Sequence, residues 1–316
     1  MPQVAHSVSP RASAAVTRSL ALPAIDDWQL VENVHRGRWC SLWRGRPAEA
    51  RAQLASEYAL KIAHGDGAEG DWGRQMLRRE AAVSRAVAQR HLITVLSTQT
   101  AHSPAYIVMP LVEGVTLASA LSTKPVLPPG HTLWIARQTA EALAALHEAG
   151  WLHGDVKPDN VIVQPDGHAT LIDLGFAQQL GEAASLAARM FCGTLRYAAP
   201  ERFVSTTASS GNSDCYSLGV MLFEMLAGRA PFAARDAHDL AVAHLEQSPP
   251  DVREFAPQTP REVSRLLHEL LAKNPLRRPT AAELVPRLCR LEIASLDLRT
   301  NVERALLPVQ VGNNIG

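Results

Sequence analysis

His153-Gly154-Asp155-Val156-Lys157-Pro158-Asp159-Asn160, followed by Asp173-Leu174-Gly175 between two short apolar runs, is the stretch that decides how this chain is read. Phosphoryl transfer from a nucleotide asks little covalent chemistry of a protein, because metal ions and positioning handle the charge on the moving group. A site for it needs acidic and amide oxygens on short loops, one beside the acceptor hydroxyl and the others on Mg²⁺. Asp155 suits the first role. Asn160 and Asp173 offer the hard oxygen ligands that Mg²⁺ prefers.

These segments resemble the catalytic loop and the metal-binding segment of eukaryotic-like (Hanks-type) serine/threonine protein kinases, and the resemblance runs from about Trp28 to about Leu291. Lys157 and Pro158 resemble the serine/threonine rather than the tyrosine branch. The single-domain layout with a full catalytic set resembles bacterial members. The resemblance implies an α+β, bilobal protein-kinase-like fold: a small β-rich N-lobe with one helix and a larger, mainly helical C-lobe.

The pattern of the chain agrees with that layout. Residues 1–26, rich in Ala, Ser and Pro, read as a flexible lead-in, 27–112 as the N-lobe, 113–291 as the C-lobe and 292–316 as a tail with a loose end. Strand-like runs are expected over Trp28–Val34, Cys40–Arg44, Tyr58–Ala63, His91–Thr98 and Tyr106–Val112. One helix around Asp71–Gln89 would turn Met76, Leu77, Glu80, Ala81, Ser84 and Val87 inward. Beyond Gly114 the period becomes helical, with Leu133, Ala136, Ala140, Leu143 and Leu146 in one stripe before Gly150. Leu218, Leu222 and Met225 form another stripe before Gly228. Further helices are expected over Asp239–Glu246, Pro260–Lys273 and Thr280–Leu291. Strands first and helices later, with the acidic loops between them, suggest a cleft between unequal lobes.

Composition narrows the partners. Lys+Arg and Asp+Glu balance at 31 each, so the chain lacks the basic footprint of a nucleic-acid binder. No apolar stretch is long enough for a membrane span. Cys40, Cys192, Cys215 and Cys289 are scattered without metal-ligand spacing and read as reduced thiols, which points to a cytoplasmic protein.

The resemblance extends to other residues. Lys61, in Ala59-Leu60-Lys61, would hold the α- and β-phosphates of ATP, and Glu80 would orient it, with Arg78 and Arg79 as rival partners for Glu80. Gly37, Leu42, Ala59, Met109 and Val112 would join Lys61 around the nucleotide. Asn160 and Asp173 would bind it through Mg²⁺. Within Val108–Gly114, Pro110 lacks an N–H, so Val112 is the better backbone partner for adenine. Lys157 would steady the transferring phosphoryl group, and Asp155 would position and deprotonate the serine or threonine hydroxyl of a protein substrate. Thr194, before Ala199-Pro200-Glu201, would help to hold the peptide. Glu201 would pair with Arg278, and Asp214 would hold the catalytic loop through backbone N–H groups.

Two departures stand out. The glycine-rich loop reads His35-Arg36-Gly37-Arg38-Trp39-Cys40-Ser41-Leu42, so only Gly37 survives of its glycines, and looser contact with the phosphates is expected. Gly154 stands where most regulated kinases have the arginine that receives an activation-loop phosphate, and Ser185 is the lone hydroxyl residue from Phe176 to Cys192. Activity independent of loop phosphorylation is the expectation, as in non-RD kinases. Two alternatives remain: a pseudokinase acting as a nucleotide-binding scaffold, suggested by the poor loop, and a small-molecule kinase of the aminoglycoside or choline type, suggested by His-Gly-Asp. Lys61, Asp155, Asn160 and Asp173 weigh against the first; Lys157-Pro158 and Ala199-Pro200-Glu201 weigh against the second.

Overall fold

The computed structural model describes residues 23–50, 57–65, 67–182, 195–204 and 210–306, with the side chains of 68, 204 and 296 onward left aside. Its first half is an antiparallel sheet in the order β1-β2-β3-β4-β6-β5, formed by Ala24–Ile25 (β1), Trp28–Arg36 (β2), Cys40–Pro47 (β3), Tyr58–Ala63 (β4), Ser97–Gln99 (β5) and Tyr106–Pro110 (β6). Because side chains alternate along a strand, β4 divides its residues between two cores. Ala59 and Ala63 face the main core with Ile107 and Met109. Leu60 faces the other way, joining Ile25, Leu30, Tyr106 and Val108 under Trp28, Trp43 and Tyr58. The lead-in thus ends in a paired strand, Ala24 lying opposite Gln29. The rest of that lead-in falls outside the described residues.

Helix α1 (Ala68–Ala86) lies on the cleft face of the sheet, with Met76, Leu77, Glu80, Ala81, Val83 and Val87 buried. Ser84 is less buried, but its Oγ accepts the N–H of Val95 at 2.7 Å. The run His91–Thr98 becomes a strand only at Ser97. Leu92 and Ile93 are buried because their backbone meets the second lobe instead: Ile93 N–H donates to the Leu171 carbonyl (3.0 Å) and Leu171 N–H to that of His91 (2.8 Å). An apolar run can be buried by a distant segment as well as by a sheet neighbour, and its period does not say which.

The second half is helical: α2 (Leu117–Thr123), α3 (Pro129–Glu148), α4 (Glu201–Val204), α5 (Gly211–Ala227), α6 (Ala237–Glu246), α7 (Arg261–Leu270) and α8 (Ala281–Leu306). Its core gathers Leu133, Ala136, Ala140, Leu143 and Leu146 of α3 against Leu218, Leu222 and Met225 of α5. Gly228 ends α5 in the left-handed conformation at φ 71° and returns its N–H to the Glu224 carbonyl, as a glycine cap does. Helix α8 continues past Leu291, where the sequence pattern suggested a stop, and packs on α3 through the Arg137–Glu292 ion pair. Residues 311–316, read as a loose end, lie outside the described set.

Short strands hold the loops of the site. Val115–Thr116 (β7), Val161–Val163 (β9) and Ala169–Leu171 (β10) form a small sheet in the order β10-β9-β7, and Trp151–Leu152 (β8) pairs with Gln178–Gln179 (β11). The result is a small sheet-rich lobe with one helix beside a larger, mainly helical lobe, the layout the sequence pattern implied.

Candidate active site

Lys61 leaves the middle of β4, opposite Leu42 on β3 and Ile107 on β6, so sheet pairing on both sides sets where its stem begins. Its ammonium donates to Glu80 Oε2 at 2.9 Å and to Asp173 Oδ1 at 2.8 Å. Glu80 is 1% exposed and Asp173 belongs to the other lobe, so one cation ties the small lobe's helix to the large lobe's loop. Burial opposes charge on Lys61, but the Asp173 and Glu80 carboxylates outweigh it and raise the lysine pKa. Burial pushes the Glu80 carboxyl up; at Asp173 the same burial is overcome by Lys61, which holds that carboxyl below its usual range. The rival partners of Glu80 are engaged elsewhere. Arg78 donates to the Thr100 carbonyl and Arg79 to Glu182.

Asp173 has φ 66°, a left-handed backbone that is uncommon for a residue with a side chain. Its Oδ1 also accepts the Gly175 N–H at 3.3 Å, closing a turn between β10 and the following segment. Leu174, in the middle of that turn, is fully buried in the main core.

The segment 153–160 is largely buried and internally bonded. Lys157 Nζ donates to Asp155 Oδ2 at 2.7 Å, and Asn160 Nδ2 donates to Asp155 O (2.8 Å) and Oδ2 (3.0 Å). Asp155 and Asn160 are 7% and 6% exposed. His153 joins this segment to the Asp173 turn: its Nε2 lies 3.1 Å from the Ile172 carbonyl, and its Nδ1 accepts the Asp155 N–H at 3.2 Å, which requires the proton on Nε2. Ile172 N–H in turn donates to the Asn160 carbonyl at 2.8 Å.

Asp214 of α5 supports the segment from below. Its two oxygens accept the N–H groups of His153 and Gly154, both at 2.9 Å, and Oδ2 also meets His147 Nε2 at 2.9 Å. Burial works against the Asp214 carboxylate, but the His147 bond and charge prevail and keep its pKa low. Gly154 has φ 78°, and a Cβ there would come within 2.7 Å of the Phe176 carbonyl oxygen. Glycine fits both demands, the left-handed backbone and the close approach. Deeper in the lobe, Arg278 holds Glu201 bidentately at 2.7 and 2.9 Å, and Ser213 adds a third bond at 2.7 Å.

The β2–β3 hairpin is built differently. Gly37 N–H donates to the Cys40 carbonyl (2.9 Å), and His64 N–H to that of Trp39 (2.8 Å). The Trp39 ring meets Phe176 edge-on, with centroids 6.0 Å apart, and Arg38 lies 3.6 Å from Glu69. Cys40 turns into the core, and burial pushes its thiol up to about 11, leaving it an inert filler. No local pattern announces the Trp39–Phe176 contact, because it depends on where two distant loops meet. Ala59 stands opposite Met109 across β4 and β6, and both are buried. The Leu111 N–H is taken by the Glu57 carbonyl, so Val112 is the next residue of the connection with an N–H to offer. Thr194 and Ser185 lie outside the described residues.

Among the described residues no three His, Cys, Asp or Glu side chains gather as a metal-only cage. Asn160 and Asp173, on neighbouring loops joined by the Ile172 N–H to Asn160 carbonyl bond, carry the hard oxygens that would suit an ion such as Mg²⁺. No described helix is long and apolar enough to cross a membrane.

One ammonium, that of Lys61, thus joins the sheet, α1 and the left-handed Asp173 turn of the other lobe. A family model of the protein kinase domain matches residues 47–287, and the chain belongs to that family. It is similar to the probable serine/threonine-protein kinase pknA2 of Bifidobacterium longum, at 27% identity over 87% of this chain and 37% of the relative. Similarity extends to the serine/threonine-protein kinase PrkC of Bacillus subtilis (30%, 73% and 35%) and to PknA of Mycobacterium tuberculosis (38%, 55% and 39%). The chain therefore spans less than two-fifths of the length of each of these three relatives. The family match begins at Pro47, the last residue of β3.

Proposed function

We propose that this protein transfers the γ-phosphoryl group of ATP to serine or threonine hydroxyls of a protein substrate, with Mg²⁺ as the metal. The observation that carries the reading is the Lys61 ammonium bridging Glu80 and Asp173 across the two lobes, together with buried Asp155 and Asn160 and half-buried Lys157 bonded to each other. The names of the bacterial relatives support the serine/threonine acceptor. Lys61 holds the nucleotide phosphates, kept in place by Glu80. Asn160 and Asp173 would hold Mg²⁺, whose bound charge would neutralise the phosphate oxygens as the bond to the leaving group breaks. Asp155 accepts the hydrogen bond of the acceptor hydroxyl and then its proton, while Lys157, already paired with Asp155, faces the transferring group.

Gly37, Leu42, Ala59, Met109 and Val112 complete the nucleotide surface in this reading. The altered hairpin weakens ATP binding without removing any group that does chemistry. Gly154 makes the enzyme a non-RD type that works without a phosphate on its activation segment. Free thiols at Cys40, Cys215 and Cys289 are in keeping with action in the reducing cytoplasm.

The test is labelling. The purified protein is incubated with γ-labelled ATP, Mg²⁺ and a generic protein acceptor, beside its Asp155→Ala variant. Label on serine or threonine with the parent, falling by at least about a thousandfold in the variant, is the expected result. Nucleotide binding without label in the parent would favour the scaffold reading, and label on a small aminoalcohol alone would favour the small-molecule kinase.

A further inference from the structure

Glu80 and Arg79 are neighbours on α1, yet they point to different lobes. Glu80 turns to Lys61 on the sheet. Arg79 reaches past the Asp173 turn and grips the chain beyond it: Nη1 donates to the Ala177 carbonyl and to Glu182 Oε2, both at 2.8 Å, and Nη2 donates to Glu182 Oε1 at 2.9 Å. The fork of the guanidinium matches the two carboxylate oxygens, a geometry that a lysine cannot reproduce.

Glu182 is itself fixed to the large lobe. Its N–H donates to the Gln179 carbonyl at 3.0 Å and its Oε2 accepts the Gln179 N–H at 3.0 Å, closing a turn. Gln179 belongs to β11, which pairs with β8, and β8 runs directly into His153 and the catalytic loop. Leu180 N–H adds a bond to the Gly150 carbonyl at 2.8 Å. The path from Arg79 to the catalytic loop thus runs through one ion pair and one strand pair.

We infer that Arg79 and Glu182 are positioning residues, a permanent cross-lobe tether that sets the rotation of α1 so that Glu80 meets Lys61. This rests on the proposed kinase reading for its consequence in turnover, but not for its geometry. A charge on the chain itself, Glu182, does the work that an added phosphate would otherwise do in ordering the segment after the metal-binding turn. Gly154 removes the arginine that such a phosphate would need, and the tether explains why its loss is tolerated. The pair is about one-third exposed on each side, so it acts through geometry more than through deep burial.

Charge reversal tests this. Arg79→Glu and Glu182→Arg are made singly and together, with Arg79→Gln and Glu182→Gln as neutral substitutes should either reversal fail to fold. Three readouts are taken: amide exchange of residues 76–86, affinity for ADP with Mg²⁺ by calorimetry, and kcat and KM for ATP. Each single reversal is expected to speed exchange in α1 and to weaken nucleotide affinity by about three- to tenfold. The double reversal is expected to recover part of both losses, since the ion pair returns while the bonds to the Ala177 carbonyl and from the Gln179 N–H do not; a merely destabilising change would instead add the two losses. A double variant no better than the singles, or singles indistinguishable from the parent, overturns the tether. Exchange and ADP affinity need no turnover, so a parent that labels no acceptor would end the kinase reading while the tether is still judged on its own.

Discussion

The segment 153–160 and the β2–β3 hairpin, one in each lobe, are held by opposite means. Residues 153–160 are fastened by side chains: Asp214 beneath, His153 to one side, and Lys157 and Asn160 on Asp155 itself. Residues 35–42 are fastened mainly by backbone bonds within the sheet and at Gly37, with one ring contact from Trp39 to Phe176. A segment fastened by side chains ties each position to one residue type, whereas backbone bonds leave side chains free to change. Side-chain replacements along the hairpin are therefore expected to disturb the fold less than replacements at Asp155, Asn160 or Asp214.

The sharpest break in this contrast comes from Asp214→Asn. The replacement keeps the shape but turns an N–H₂ toward one of the two backbone N–H donors, leaving it without an acceptor. A loss of about 2–4 kcal/mol in urea unfolding at pH 7 is expected, with kcat down by about a hundredfold from displacement of Asp155. The pH dependence separates charge from shape. The Asp214 pKa is depressed in the fold below its ordinary value of 3.8, so its contribution is full above that value and is lost as pH falls through the folded value. Asp214→Asn therefore destabilises at neutral pH and flattens the acid limb of the stability curve. An unchanged acid limb would show that the two backbone bonds do not depend on the charge.

A smaller effect tests the backbone on the same side. Gly154→Ala places a Cβ at a left-handed residue and against the Phe176 carbonyl, at an expected cost of about 1–3 kcal/mol. Since Gly154 precedes Asp155, kcat should fall by about tenfold while KM for ATP stays near that of the parent. A rise in KM alone would place the strain in the nucleotide site instead.

The hairpin should respond least in turnover and most in affinity. His35→Gly/Cys40→Gly is expected to tighten ATP by about three- to tenfold, because backbone without Cβ can approach the phosphates, with kcat within about twofold of the parent. Removing the buried Cys40 side chain should cost about 1–2 kcal/mol of stability. An affinity no better than the parent's would mean that the Trp39–Phe176 contact, not the missing glycines, decides where the hairpin sits.

How much of this was legible in the chain depended on whether a residue's role is local. The β4 pattern around Lys61, the stripe on α1 and the α3 and α5 stripes follow from periods of two and 3.6, which are properties of a few neighbouring residues. Gly228 ended α5 where its sequence position implied. Glu80 was ambiguous, since Arg78 and Arg79 sat beside it. The helix resolves the matter by turning Glu80 inward and both arginines out, toward Thr100 and Glu182. The run from His91 was misread as a long strand because buried apolar residues look alike whether a sheet or another lobe covers them.

The amino-acid sequence by itself determined which chemical groups this protein has and on what kind of element each is carried: a lysine on a strand, a glutamate on a helix, and two acids and an amide on short turns. Those choices rest on steric and hydrophobic preferences acting over a few residues. Only the tertiary structure decided that Lys61 would meet Asp173, that Asp214 would carry the catalytic loop, and that Arg79 would find Glu182. Each of those pairs joins residues more than fifty positions apart. Hydrogen bonds at such separations form only after packing has brought the elements together, so no local pattern can record them.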